Sequence, residues 1–189
     1  MQYPLLQAKG GADMFKNSQK LSKWLRVLHM PFYCNNNESD TFVDPQQDAV
    51  GAVWTTGENG YVYNMSAVAY YFAAQMMEEL DMPVGILNAS LGGSAIASWL
   101  SRDAIDGDSK VKNYLISTEK YIEKSDWETA KPSIYHDMTS NYNHKIYPLR
   151  NFRPSGMIWY QGETDLMFRC TEEGYADFYD LMQRSYSEL

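Results

Sequence analysis

The feature that most constrains the fold is an amphipathic segment followed directly by a short apolar run. Ser66 is a good helix N-cap, and the apolar residues after it recur at helical spacing. These residues are Ala69, Phe72, Ala73, Met76 and Leu80. Asp81-Met82-Pro83 ends the predicted helix, and Val84–Asn88 has the composition of a buried strand. A helix that leads into a buried strand predicts an α/β fold with a parallel sheet.

Two glycines follow this predicted strand. Gly92 and Gly93 lie where the chain is expected to pass from the strand into a helix. A glycine pair permits a tight turn and leaves backbone N–H groups at the helix N-terminus, where an anion or a developing oxyanion binds. The pair can also serve the turn alone. The stretch matches neither G-x-x-x-x-G-K-[ST] nor G-x-G-x-x-G, so it is not one of these two phosphate-binding patterns.

A second apolar run occupies residues 157–160, and we predict that it is a buried strand that leads into an active-site turn. Gln161 then lies at the carboxyl end of the strand, where ligands bind in open α/β sheets. Gly162 permits a sharp turn, and Glu163 adds a charge. Gln161 offers two N–H donors without a titrating proton. Spacing alone leaves equally open that Gln161 and Glu163 only satisfy the loop backbone.

The rest of the chain carries weaker signals. Residues 25–30 are predicted to form a strand stopped by Pro31, in which His29 is a structural residue. Residues 34–60 have loop composition. Residues 103–135 are charged and peripheral, with helix-like stretches. The chain is predicted to end in an amphipathic helix, on the spacing of Tyr175, Phe178, Met182 and Leu189.

Composition limits the possible partners. The 189 residues are 44% hydrophobic, which is enough for one globular domain. The net charge of −8 and the absence of basic runs argue against nucleic acid and anionic membranes. No apolar run approaches the roughly 18 to 20 residues of a membrane span, and the first residues lack the cationic start of an export signal. Cys34 and Cys170 can pair or stay free, and their surroundings indicate neither a metal site nor a thiol nucleophile.

Three stretches together resemble the sialate O-acetylesterases, which are carbohydrate esterases of the SGNH hydrolase superfamily. The first is Gly92-Gly93-Ser94 with Trp99, the second runs from Tyr142 to Leu149, and the third is Trp159-Tyr160-Gln161-Gly162-Glu163. Ser94 replaces the family's threonine, while His144 and Lys145 depart from its small residue and methionine. The resemblance covers most of the chain after Ser66.

The resemblance implies a flavodoxin-like three-layer α/β/α sandwich with a parallel sheet. It implies a Ser nucleophile and a His base, no metal or other cofactor, and an O-acetylated sugar such as sialic acid as substrate. Gly93, with Gly92, would supply backbone N–H groups to the oxyanion hole, and Gln161 its side-chain amide. Glu163 would order the turn or hold a substrate hydroxyl. Asn143 and Trp159 would contact the substrate.

The same resemblance implies a chain that is incomplete at both ends. Family members read Gly-Gln-Ser-Asn-Met-Gln/Glu-Tyr/Trp-Pro, and this chain begins Met1-Gln2-Tyr3-Pro4. The nucleophile would then lie upstream of Met1, and the base would lie beyond Leu189. The upstream segment would supply a central strand between residues 25–30 and 84–88, so the chain by itself is expected to be inactive and marginally folded. The compartment and oligomeric state stay open, with a periplasmic or secreted location expected if a signal peptide precedes the chain.

The sequence leaves two other functions open. One is a non-catalytic sugar-binding or interaction module, with Trp54, Tyr61 and Trp127 as its contact surface. The other is a self-contained hydrolase, although neither candidate serine lies in a G-x-S-x-G elbow. Its nucleophile would be Ser90 or Ser94, and its base His29, His136 or His144.

Overall fold

The computed structural model describes residues 2–31, 44–130, 133 and 135–187. These residues form two compact units, one containing residues 2–31 and 50–92 and the other residues 44–49 and 93–187 with the same gaps. The single-domain prediction over residues 1–189 is compatible with this division and stays a prediction.

The first unit holds a three-stranded sheet. Its strands are β1 (Leu25–His29), β2 (Val53–Thr56) and β3 (Val84–Asn88), in the order β2-β1-β3. β1 and β3 are parallel, with Val27 opposite Ile86, whereas β1 and β2 are antiparallel, with Val27 opposite Thr55. The α/β fold class and the strands at β1 and β3 are therefore confirmed. The sheet is mixed, because β2 runs antiparallel to its neighbour.

Two predictions about this sheet are wrong. No strand separates β1 from β3, since their five residues pair directly from Leu25 opposite Val84 to His29 opposite Asn88. Parallel neighbours need a long crossover, and the connection that contains the following helix provides one. Residues 53–56 are not loop but strand β2, because the other edge of β1 offers backbone partners to them.

Helix α2 (Ala67–Leu80) follows in the first unit, after the shorter α1 (Gly11–Asn17). The predicted cap is confirmed, since the Ser66 hydroxyl accepts the Ala69 N–H at 3.4 Å. The buried residues of α2 are Ala67, Tyr70, Ala73, Ala74 and Met77. The predicted apolar stripe has the right period but is rotated by about one residue, which leaves Phe72 and Leu80 45% and 52% exposed.

Tyr70 accounts for the direction of this rotation. Its ring lies 6.0 Å from that of Phe15, and its hydroxyl is 2.7 Å from the Ser18 hydroxyl. A buried tyrosine is stabilised by its apolar area only when its hydroxyl finds a partner. The helix therefore turns Tyr70 inward and Phe72 outward.

The second unit is largely helical. Its helices are α3 (Arg102–Gly107), α4 (Ser109–Ser117), α5 (Trp127–Ala130), α6 (Glu163–Met167) and α7 (Glu172–Tyr186). Its core residues come from all but α6 and include Ile105, Leu115, Trp127, Phe178 and Met182. The predicted amphipathic helix is confirmed as α7, which begins at the N-cap Thr171 and buries Phe178 and Met182. In the part of the chain that the structure describes, no helix is both long and apolar enough to cross a membrane.

Residues 157–160 form no strand, so the buried strand predicted there is wrong. Met157, Ile158 and Tyr160 are 47%, 44% and 52% exposed. A strand needs a hydrogen-bonded neighbouring strand, and none of the described strands pairs with this run. Trp159 alone turns inward, with its ring edge-on to Trp99 at 5.9 Å between centroids.

Candidate functional site

The glycine pair forms the turn that the sequence predicts. Gly93 has a φ of +80°, in the left-handed region that favours glycine. The N–H of Gly92 donates to the side-chain carbonyl of Gln2 at 2.7 Å. No described residue accepts a bond from the Gly93 N–H. Of the two predicted oxyanion donors, Gly93 therefore has the available N–H, and the oxyanion roles of both glycines stay predictions.

The helix predicted after the glycines is wrong. Only the single 3₁₀ turn Ile96–Trp99 forms, because Leu100 returns to an extended backbone with ψ of 143°. The Ser98 hydroxyl donates to the Ala95 carbonyl at 2.7 Å and holds this short turn. A turn of four residues carries little of the aligned dipole of a helix. Anion binding at the glycine turn therefore depends on individual N–H groups.

We expect Gly93→Ala to lower the unfolding free energy by about 1 to 2 kcal/mol, because a β-carbon disfavours the left-handed backbone. The added atom itself would meet only Tyr135 Cδ1 at 3.9 Å, so crowding contributes little. Gly156→Ala is the matched control, since Gly156 has open space around it and no positive φ. This variant should change the unfolding free energy by only a few tenths of a kcal/mol. Urea denaturation of both variants measures the difference, and equal stabilities would contradict the backbone argument.

The Gln161 amide joins the glycine turn to the start of α6. Its Nε2 donates to the Ser94 carbonyl oxygen at 2.9 Å and also to the Asp165 carboxylate. Its Oε1 accepts the Tyr175 hydroxyl at 3.0 Å. The side chain of Gln161 therefore bonds to three residues. A glutamine that only satisfied the backbone of its own loop would make fewer bonds.

The orientation of this amide follows from its neighbours. The Trp159 indole N–H can only donate, and it lies 3.3 Å from the Tyr175 hydroxyl oxygen. The Tyr175 proton is thus left for Gln161, whose backbone and side-chain carbonyls lie at 2.8 and 3.0 Å. On the other side, the Ser94 carbonyl and an ionised Asp165 can only accept. The NH₂ end of Gln161 therefore faces Ser94 and Asp165.

Asp165 is a site residue that sequence reasoning missed. It lies in the first turn of α6 and is only 6% exposed. Its Oδ2 accepts the Ile96 N–H at 3.0 Å, in addition to the Gln161 bond. Burial raises the pKa of Asp165, while the bonds from Gln161 and Ile96 act against this shift. The available signal was the spacing of four residues from Gln161, at which a glutamine and an aspartate pair at helical turns.

The other predicted site residues have distinct environments. Glu163 is exposed at the start of α6, and Trp159 is partly buried against Trp99. Asn143 is 2% exposed in the π-helical turn Tyr142–Ile146. A bond of 2.8 Å from Asn141 to Ser98 links that turn to the 3₁₀ turn beside the glycines. The structure thus gathers Gln161, Trp159 and Glu163 at one turn and places Asn143 in a neighbouring buried one. The roles of Glu163, Trp159 and Asn143 stay predictions.

The contacts of the candidate serines do not favour a self-contained hydrolase. The Ser90 hydroxyl donates to Asn88 at 2.8 Å, and the Ser94 hydroxyl accepts the Trp99 indole N–H at 2.9 Å. His29 Nε2 lies 3.1 Å from the Thr55 hydroxyl, and burial lowers the pKa of this histidine. None of these three bonds is the serine–histidine bond that activates a nucleophile.

One of the three aromatic residues predicted to form the contact surface of a binding module, Trp127, is not at the surface. Trp127 is 1% exposed and belongs to the core of the second unit, whereas Trp54 is 52% exposed. The side chain of Tyr61 lies outside the described part of the structure, as does Cys34. Cys170 is a free thiol whose pKa is raised by burial. Among the described residues, no group of three His, Cys, Asp or Glu side chains is placed to hold a metal ion.

Comparison with known proteins assigns the family. The family model for carbohydrate esterases described as sialic acid-specific acetylesterases matches residues 64–188. The human sialate O-acetylesterase is 30% identical over 133 residues, which cover 65% of this chain and 23% of the relative. The rat enzyme is 28% identical over 127 residues, with 58% and 23% covered. The chain therefore belongs to the family of sialic acid-specific acetylesterases.

A solved structure is similar across nearly the whole chain. The crystal structure of a carbohydrate acetylesterase from Xanthomonas citri superposes with a TM-score of 0.71 and 27% sequence identity. The superposition covers 98% of this chain and 35% of that protein. The chain thus spans about a third of this structural relative and about a quarter of the human enzyme.

Proposed function

We propose that this chain forms part of a carbohydrate O-acetylesterase that removes acetyl groups from sialic acid or a related sugar through an acyl-serine intermediate. The chain's own contribution is the oxyanion site, in which the Gly93 N–H and the Gln161 amide receive the negative charge of the tetrahedral intermediate. Family membership supports the reaction class. The observation that carries the site is the fixed amide of Gln161, whose donor end faces the residue next to Gly93.

The bonds of Gln161 support a specific exchange during the reaction. Both amide hydrogens are occupied, one by the neutral Ser94 carbonyl and one by the Asp165 carboxylate. A bond to an ionised oxygen is about twice as strong as a bond to a neutral one. A developing oxyanion would therefore displace the Ser94 carbonyl as acceptor, while Asp165 keeps its bond. Because the new bond forms only as charge develops, it stabilises the transition state more than the bound substrate.

The remaining groups follow from the family's chemistry. Acyl transfer requires a nucleophile and an adjacent base. The Gly-Gln-Ser-Asn motif that carries the nucleophile in the family does not occur within residues 1–189. In this proposal the nucleophile and base come from the protein's further residues, and the oxyanion site comes from this chain.

Acetate release tests the proposal directly. The 189-residue chain and an in-frame extended version that contains the Gly-Gln-Ser-Asn serine and the later histidine would be incubated with an aryl acetate and with O-acetylated sialic acid. The extended version should release acetate from both substrates and none from N-acetylneuraminic acid without O-acetyl groups. A folded extended version that leaves the sugar ester intact would contradict the proposal, and so would an upstream frame that lacks the serine.

A further inference from the structure

We propose that Asp165 is a positioning residue for the oxyanion donor, whose buried carboxylate holds one amide hydrogen of Gln161 and leaves the other to face Ser94. This inference rests on the proposed function and adds a residue to its site. Asp165 would act through Gln161 and would not itself touch the substrate.

The contacts of Asp165 connect separate segments of the second unit. Its carboxylate accepts the Ile96 N–H at 3.0 Å, from the 3₁₀ turn after the glycines, and the Gln161 amide from the turn before α6. The carbonyl of Ser94, two residues before Ile96, accepts the same Gln161 nitrogen at 2.9 Å. Asp165 thus holds both the donor amide and the backbone that the amide faces.

Helix capping does not account for this arrangement. An aspartate in the first turn of a helix commonly bonds to the N–H groups of its own helix. The side-chain bonds of Asp165 to other residues instead reach Ile96 and Gln161, both outside α6 (Glu163–Met167). Burying a carboxylate is costly unless bonds compensate it, and here those bonds come from the candidate oxyanion site.

A carboxylate suits this position better than an amide would. It can only accept, so it fixes the NH₂ end of Gln161 toward itself without competing as a donor. An asparagine would bring a second NH₂ group toward the Ile96 N–H and would form weaker, uncharged bonds. Tyr175 fixes the opposite end of the amide by donating to Oε1 at 3.0 Å. The two residues together leave the Gln161 amide a single orientation.

The first test needs no turnover and uses the 189-residue chain. Side-chain NH₂ hydrogen exchange would be measured by NMR in the wild type and in Asp165→Ala, Asp165→Asn and Asp180→Asn. The control Asp180 is exposed on α7, with 67% of its side chain accessible. We expect the Gln161 NH₂ group to exchange about tenfold more slowly than that of the exposed Gln183. Asp165→Ala should abolish this protection, Asp165→Asn should reduce it, and Asp180→Asn should leave it unchanged.

If Asp165→Ala does not fold, the near-isosteric Asp165→Asn decides the matter by the same measurement. If both variants fold and the Gln161 NH₂ group exchanges in both at the wild-type rate, the proposal is overturned. If only Asp165→Asn folds, a wild-type exchange rate in that variant overturns it. An unprotected Gln161 NH₂ group in the wild type also overturns it.

The second test separates positioning from a purely structural role. In the active enzyme, Asp165→Asn should lower kcat about tenfold and leave KM unchanged, because only the transition-state bond is affected. In a Gln161→Ala background the same substitution should lower kcat less than about twofold, since the residue it positions is gone. Equal losses in both backgrounds overturn the proposal. If the wild-type enzyme released no acetate, the proposed function would fail, while the exchange measurement would still decide whether Asp165 holds Gln161.

Discussion

Replacing Gln161 by alanine in the active enzyme is expected to lower kcat about a hundredfold with little change in KM, as the loss of one oxyanion donor does elsewhere. The reason is that the bond from Gln161 to the reacting oxygen strengthens only in the transition state. Before reaction the same nitrogen donates to the Ser94 carbonyl at 2.9 Å, so substrate binding does not depend on the new bond. Steady-state kinetics of acetate release measure both constants.

Two controls make this result interpretable. Gln183→Ala removes an exposed glutamine from α7 and should leave kcat at the wild-type value. Gln161→Ala also removes one donor from the buried Asp165, which costs about 1 to 3 kcal/mol of stability. Thermal melting therefore has to confirm that the variant is folded at the assay temperature. An unchanged kcat in folded Gln161→Ala would remove Gln161 from the mechanism.

Local signals predicted the elements of the first unit well. Ser66 and the residues after it predicted α2, and the apolar runs predicted β1 and β3, because caps and strand composition act within a few residues. The orientation of α2 about its axis was not predictable in this way. Both faces of α2 carry apolar residues. Which face is buried depends on Ser18, a partner for the Tyr70 hydroxyl that is distant in sequence.

The failures share a physical cause, since each depends on partners that are distant in sequence. Residues 157–160 have strand composition, but no described strand pairs with their backbone. Strand β2 formed in a region of loop composition because β1 offered it a free edge. A sequence pattern reports what a segment can bury, while strand pairing depends on what lies next to it.

The candidate site was predictable in part. Resemblance to the family picked out Gln161 and Gly93, and the structure shows a fixed amide at the first and a left-handed backbone at the second. The contribution of Asp165 was hidden because a carboxylate four residues beyond Gln161 also fits an ordinary helix start. The bond from Ile96, 69 positions away in sequence, distinguishes a site residue from an ordinary residue of a helix start. Only the folded chain shows that bond.

The free energy of unfolding is expected to depend on pH through His144, which is 3% exposed in the turn Tyr142–Ile146. Burial, and secondly the charge of Lys145, lower the pKa of His144 from 6.5 to about 4. Between these two values the unfolded chain binds a proton that the folded chain does not. The stabilisation from the neutral imidazole is therefore complete above pH 6.5 and is lost as the pH falls toward 4. A shift of this size corresponds to about 3 kcal/mol.

Urea denaturation at pH 7 and near pH 4 measures this contribution by difference. Between pH 7 and pH 4, the unfolding free energy of His144→Gln should fall by about 3 kcal/mol less than that of the wild type. This difference is expected even if the variant is less stable at both pH values. His29 is also buried and its pKa is lowered, while the pKa of Asp165 is raised. Both residues are present in the wild type and in the variant, so their contributions to the pH dependence cancel in the difference. Asp106 and Asp108, with pKa values below 3.8, lose their contribution mainly below the interval. His136→Gln is the matched control, because it makes the same substitution at an exposed histidine. Equal pH dependence in the wild type and His144→Gln would show that His144 is not the buried neutral group described.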